Sequence, residues 1–336
     1  MTLGIIDVGT NSVHLLVGIL GLNGRFHTML KERDLTRLGE GGLAKGRLTT
    51  AARRRATTVL SRYAELLERC QVDHVEAVAT SAVRGAANGR AFVRHVRQRL
   101  GIPLRVISGR EEARLIYLGV LQAHRFRRAT AVMTIGGGSA QVIIGDGVHL
   151  RYVTSVPLGG ARLAQQFIRH DPPRPKELVA LARHVERAWR PSLKAMRRYR
   201  WSRTLGSSAT IAQLMIAAHV RHHHRPPKKK RDLTMTQHAL ERLVRWLAAS
   251  TARERVQMPG IDPRREDLML PTAVALLAWM RGAGVRTLRY APGSLREGLV
   301  LDYLIRHHQR RRPRIESPLA ELLWASANGR RLREVA

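Results

Sequence analysis

Two glycine turns, Ile6-Asp7-Val8-Gly9-Thr10-Asn11-Ser12 and Ile135-Gly136-Gly137-Gly138-Ser139, constrain the fold of this chain more than any other feature. Gly9 and Gly136 lie 127 positions apart. Each turn follows a short apolar run (Leu3 to Ile6, Ala131 to Ile135) and precedes another (Val13 to Leu20, Val142 to Ile144). That pattern predicts a tight β-hairpin. Its glycines serve either a positive φ or a ligand's close approach to the backbone. Successive N–H groups in such a turn form a concave nest for an anion. One nest holds a phosphate weakly. Two facing nests clamp a phosphate chain from both sides, which requires two similar lobes with a cleft between them.

A chain of 336 residues exceeds the size at which one core stops growing, so two domains are expected. Aromatics make up only 4% of the chain, so aliphatic side chains must fill those cores. The single cysteine, Cys70, excludes an internal disulfide and fits a reducing compartment. Asp7 interrupts the N-terminal apolar stretch, which has no basic leader, so no secretory signal is expected. The apolar run Leu270 to Met280 is too short to span a bilayer. A cytoplasmic protein is the expectation.

Lys and Arg total 59 against 25 acids, a net charge of +34. Only seven of the 59 are lysines. Such a field concentrates polyanions, most strongly at low salt. Nucleic acid is the commonest partner for this composition. A long inorganic phosphate chain is held by the same physics, because guanidinium groups read phosphate charge and need no base.

In the first lobe, a strand at His27 to Arg33 leads to the loop Gly39-Glu40-Gly41-Gly42. A helix is predicted over Thr49 to Cys70, a buried strand over Val75 to Thr80 and a helix over Gly89 to Leu100. The strand Leu104 to Ile107 feeds a helix at Gly109. The second lobe begins near Ala129 with the second hairpin. It carries Leu158-Gly159-Gly160-Ala161-Arg162-Leu163, a helix over Lys176 to Tyr199, and Thr204 to Thr210. Arg221 to Arg231 reads as an exposed basic loop, in which His222, His223 and His224 cannot share one helix face as metal ligands. A last helix over about Arg296 to His307 is expected to return to the first lobe. The resulting boundaries are 1–124 plus the returning helix 296–312, then 125–295, then a basic tail at 313–336.

Ser108-Gly109-Arg110-Glu111 reads as a capping box, which gives Glu111 a structural task. Glu112 points about 100° away from it. It is either a first-turn acid favoured by the helix dipole or a general base facing the cleft. Asp7, at an apolar strand-to-turn junction, needs a partner. Hydrated Mg²⁺ and a turn N–H are the two candidates.

Five segments now occur in order: the Asp7 turn, Ala79-Thr80-Ser81-Ala82-Val83-Arg84, Ser108 to Leu115, the Gly136 turn, and Leu295-Arg296-Glu297-Gly298-Leu299. Together they closely resemble the exopolyphosphatase and guanosine pentaphosphate phosphatase family. The resemblance implies an α/β, two-lobed actin-like ATPase (ribonuclease H-like) fold with a phosphate cleft between the lobes. It also implies Mg²⁺-dependent release of terminal phosphate from inorganic polyphosphate or guanosine pentaphosphate. By that resemblance Glu112 matches the general base, Asp7 the first phosphate-loop acid and metal ligand, and Arg84 a phosphate-binding arginine. Gly9, Thr10, Asn11 and Ser12 match the first phosphate loop. Gly136, Gly137, Gly138 and Ser139 match the second.

Two positions depart from the family. Thr134 stands where an Asp is usual and Gln141 where a Glu is usual, so negative charge is missing from the expected metal and water site. Losing such an acid costs about 10²–10⁴ in rate where it acts in proton transfer. Three classes follow: a polyphosphate hydrolase, a weakened relative that binds or senses polyphosphate or guanosine pentaphosphate, and a nucleic-acid binder. Only the first two account for paired phosphate loops. A non-specific nucleic-acid contact and a homodimer are compatible with the sequence; a membrane partner is not.

Overall fold

The computed structural model describes residues 1–21, 25–124, 126 and 128–308. The proposed tail at 313–336 and the end of the returning helix at 309–312 lie outside them. Lobe 1 contains strands β1 (Thr2–Val8), β2 (Val13–Leu20), β3 (Phe26–Asp34), β4 (His74–Ala79) and β5 (Leu104–Val106). Its helices are α1 (Thr50–Arg69), α2 (Ser81–Arg84), α3 (Gly89–Leu100) and α4 (Gly109–His124). Lobe 2 contains β6 (Thr130–Ile135), β7 (Ala140–Asp146), β8 (His149–Val156), β9 (Arg203–Ser207), β10 (Thr234–Thr236) and β11 (Thr287–Tyr290). Its helices are α5 (Gly160–Phe167), α6 (Pro175–Met196), α7 (Ala209–His223), α8 (Gln237–Ala249), α9 (Ala252–Gln257) and α10 (Glu266–Gly282). The described chain closes with α11 (Leu295–His308).

The two sheets repeat one topology. Lobe 1 runs β3-β2-β1-β4-β5 and lobe 2 runs β8-β7-β6-β9-β11, with β10 added at the edge. In both, the first strand pairs antiparallel with the second and parallel with the fourth. This is the two-lobed α/β order expected of an actin-like, ribonuclease H-like fold. It places the two glycine turns at equivalent ends of equivalent hairpins.

Helix α1 shows why the pattern was readable. Thr49 caps it by accepting from the Ala52 N–H at 3.2 Å, and Ala52, Ala56, Leu60, Tyr63 and Leu67 bury one face. In lobe 2 the apolar α10 crosses the centre of its own core, where Trp189 donates its indole N–H to the Ala275 carbonyl at 3.0 Å. A third core joins the lobes. Ile116 and Val120 of α4 and Leu299 of α11 pack with Ile5 of β1 and with Val132 and Ile143 of lobe 2. Helix α11 thus lies against α4 and β1.

Two local expectations are corrected. The Glu111 N–H does donate to Ser108 Oγ at 3.1 Å, but its carboxylate is taken by Arg105 at 2.6 Å, an ion pair in place of the return half of the capping box. Arg221 to His223 finish α7 rather than opening a loop, because the His219 and His223 rings meet one turn apart, 4.3 Å between centroids. Among the described residues no helix is long and apolar enough to cross a membrane.

Candidate active site

The two glycine turns close in the same way. Gly9 donates its N–H to the Ser12 carbonyl at 3.0 Å, and Gly136 donates to the Ser139 carbonyl at 2.9 Å. They also touch. A Cβ added at Gly138 would lie 2.5 Å from Thr10 Oγ1 and 2.6 Å from Ser81 Oγ, and one at Gly137 would lie 3.1 Å from Thr10 Cβ. None of Gly9 or Gly136 to Gly138 is among the residues of positive φ. Close approach to the other turn, not backbone freedom, is therefore what Gly137 and Gly138 supply. Each turn is braced from behind. Gly39 and Arg37 donate backbone N–H groups to the Thr10 and Asn11 carbonyls at 2.9 Å, while Gly160 and Arg162 donate to Gly136 and Gly137 at 2.9 and 3.0 Å. Arg162 Nε adds a 3.0 Å bond to the Gly138 carbonyl.

Asp7 closes β1 just before the first turn. Its Oδ1 is sealed from solvent and has no hydrogen-bond partner, and neither has the Nδ2 of Asn11, a residue only 7% exposed. An unpaired acceptor and an unpaired donor thus flank the loop, and each is costly to leave so. Of the two partners considered for Asp7, the turn N–H of Gly9 is spent on Ser12. Burial pushes the Asp7 carboxyl up to about 7; Arg296 opposes the rise, and Glu112 and Glu297 add to it. A hard cation fits this oxygen. Mg²⁺ takes one or two carboxylates and completes its shell with water and phosphate oxygens. Among the described residues no group of three or more His, Cys, Asp or Glu side chains is poised around one metal position.

Glu112 stands in the first turn of α4, 8% exposed. Arg84 Nη1 bridges it at 3.0 Å and also donates to the Ile107 carbonyl at 2.9 Å. Burial raises the Glu112 pKa, while the charge and hydrogen bond of Arg84 and a hydrogen bond from Gln141 hold it back. The residue expected to activate water is therefore paired with the residue expected to hold phosphate. Gln141, 1% exposed on β7, donates from Nε2 to Ser139 Oγ at 2.8 Å and to Ser155 Oγ at 3.4 Å. Thr134 is its direct partner across the β6–β7 ladder.

Two further residues, His14 and Arg265, gather at the first turn without having drawn attention in the sequence, alongside Arg296 of the last family segment. His14 lies between Ser12 Oγ at 3.0 Å from Nε2 and Arg296 Nη1 at 3.1 Å from Nδ1. Burial, then Arg296, Arg33, Arg265 and Lys31, push its pKa down to about 2, so it is neutral. A guanidinium only donates, so Nδ1 accepts from Arg296 and Nε2 carries the proton toward Ser12. Arg265, 6% exposed, donates from Nη2 to the same Ser12 Oγ at 3.2 Å. Its Nε has no partner, and burial with Arg33 lowers its pKa to about 10. Ser12 Oγ thus receives two hydrogen bonds and keeps its own proton for a third partner. Nothing local in the sequence marks Arg265, which lies 253 positions from Ser12.

The site thus brings together two glycine turns in contact, a buried cation, an orphan carboxylate oxygen and a carboxylate–guanidinium pair. The model of the Ppx/GppA phosphatase family matches residues 21–307. Exopolyphosphatase 1 of Mycobacterium tuberculosis (strain H37Rv) is 28% identical over 306 residues, covering 90% of this chain and 88% of that protein. The crystal structure of an exopolyphosphatase from Cytophaga hutchinsonii is similar, with a TM-score of 0.81 and 30% identity, covering 90% of this chain and 98% of that one. The Aquifex aeolicus Ppx/GppA family member superposes with a TM-score of 0.74 at 25% identity, covering 91% and 98%.

Proposed function

The chain belongs to the Ppx/GppA phosphatase family, and from that premise we propose that it releases terminal phosphate from inorganic polyphosphate by hydrolysis. The observation that carries the reading is the contact between the two phosphate turns beside the Glu112–Arg84 pair. The end of a phosphate chain binds along the edge where the two turns meet, where backbone N–H groups, the Ser12 hydroxyl and Asn11 Nδ2 donate to its oxygens. Arg84 transfers its hydrogen bonds from Glu112 to the incoming phosphate. Glu112 then loses the charge that held its pKa down, burial dominates, and the carboxylate becomes a stronger base toward a water. Arg84 meanwhile neutralises charge on the transferred oxygens. Bound Mg²⁺, for which Asp7 is the carboxylate ligand, supplies charge neutralisation on the phosphate oxygens.

The surplus of 34 positive charges favours a long inorganic chain over guanosine pentaphosphate, because a long chain gains from charge outside the cleft. A second reading rests on the neutral Thr134–Gln141 pair: a weakened relative that binds or senses these ligands in the cytoplasm. Phosphate release from long-chain polyphosphate and from guanosine pentaphosphate, each with and without Mg²⁺, separates the two. Metal-dependent turnover of polyphosphate supports the hydrolase. Tight binding without turnover supports the sensor.

A further inference from the structure

Several arginines in lobe 1 are answered by carboxylates. Arg55 meets Glu40 at 2.7 Å, Arg62 meets Asp34 at 2.6 Å, and Arg114 meets Asp302 at 2.7 Å. Two on α1 are not. Arg53 has a buried Nε with no partner, and its Nη2 reaches only Thr50 Oγ1 at 3.5 Å. Arg54 has no hydrogen-bond or ion-pair partner among the described residues. Both line a groove of about 720 Å³ between α1 and α3, outside the cleft. Thr50, Arg54, Thr57 and Ser61 recur every three to four residues along its wall with Thr58 beside them, and His95 faces them from α3. The only acid lining it is Glu65, while Arg62, beside it, is already engaged by Asp34.

We propose that this groove is an accessory site for the distal part of an inorganic polyphosphate chain whose end occupies the cleft, an inference that rests on the polyphosphate reading above. Guanidinium groups and a row of hydroxyls read phosphate oxygens at close spacing and need no base. Phe92 is 2% exposed, so the imidazole of His95 is the one ring in the lining left to stack on a base, too little for a single-strand nucleic-acid platform. The groove is also tied to the cleft through the chain: Gly39 donates to the Thr10 carbonyl of the first turn, and ten residues on Thr49 caps α1. A polymer held at both places gains by effective concentration, which a short oligomer cannot do.

The test is equilibrium binding to the full chain in chelator, so that nothing is hydrolysed. Tripolyphosphate, long-chain polyphosphate and polyuridylate RNA are titrated against wild type and the Arg53→Gln, Arg54→Gln double variant. Long-chain affinity is expected to fall about tenfold, with the log–log salt slope reduced by about one to two. Tripolyphosphate affinity stays unchanged, and Arg53→Lys with Arg54→Lys retains most of the long-chain binding. If wild type binds the long chain and the Gln variant binds it equally, the groove is idle and the hydrolase reading stands. A loss confined to RNA makes the groove a nucleic-acid site and overturns the proposal. An equal loss for tripolyphosphate places the effect on the cleft and overturns it as well. If wild type neither binds nor hydrolyses polyphosphate, the functional reading falls and this proposal with it.

Discussion

Thr134 and Gln141 are directly opposed partners in the β6–β7 ladder, so the two positions at which the sequence reading expects family acids are one another's neighbours. Opposed residues in an antiparallel pair carry their side chains on the same face. Two acids there would stand side by side next to Glu112, a like-charge cluster that only a cation or a shared proton can tolerate. The neutral pair removes that requirement. It also removes the charge that would draw a metal in.

Restoring both acids, Thr134→Asp with Gln141→Glu, should raise Mg²⁺-dependent phosphate release by about tenfold or more. The same variant should melt lower than wild type in chelator and regain the difference in Mg²⁺. Phosphate-release assays and melting curves in both conditions check this. Rapid wild-type turnover with no gain from the acids would sink the sensor reading.

Glu112→Gln should abolish hydrolysis while leaving polyphosphate binding nearly intact, since Gln keeps an acceptor for Arg84. Glu111→Gln should leave turnover unchanged. Its carboxylate serves a partly exposed ion pair with Arg105, worth about 0–1 kcal/mol. Equal losses from the two substitutions, in steady-state kinetics with matched binding titrations, would show that Glu112 is not the base.

Asp7 sets a pH signature. Its folded-state pKa of about 7 exceeds the unfolded value, so the native state binds the extra proton. The stability this contributes is complete below about pH 4 and is lost as pH rises to about 7, at a cost of a few kcal/mol. Asp7→Asn should therefore flatten that part of the stability–pH curve in chelator. Mg²⁺ affinity should rise with pH up to about 7 in wild type and vanish in the variant. A stability–pH curve unaltered by the substitution would mean that Asp7 binds its proton equally in the folded and unfolded states.

Arg265 is a buried cation with no carboxylate in ion-pair range among the described residues, a liability until an anion arrives. Arg265→Met should raise the melting temperature of the ligand-free protein by a few degrees and weaken tripolyphosphate binding about tenfold. A variant that is less stable and binds normally would assign Arg265 to structure alone.

The hairpins, their equivalence and the first-turn position of Glu112 were legible because each is written in local order: apolar run, glycines, apolar run, cap. The opposition of Thr134 and Gln141 was legible in principle too, since they sit symmetrically about Gly137 and Gly138 once the turn is placed. Arg84 on Glu112 and Arg265 on Ser12 were not. Both join elements far apart in the chain, and in a sequence so rich in arginine no single one stands out. The half-formed capping box failed for a related reason, because Arg105 competes for Glu111 and charge outweighs a neutral cap bond.

The shared core built on α4 and α11 decides what kind of motion this molecule can make. Rotation of one lobe against the other, with that core kept packed, must pivot near those two helices. Displacement in a rotation grows with distance from the axis, so Glu112, at the start of α4, is nearly stationary. The ion pair of Arg37 with Asp267, at 3.0 Å, crosses between the lobes outside that core, as do the bonds of Gln165 to the Gly39 carbonyl and of Arg265 to Ser12. In the proposed mechanism, the group that would activate water thus sits beside the axis of any such rotation, where its aim would change least.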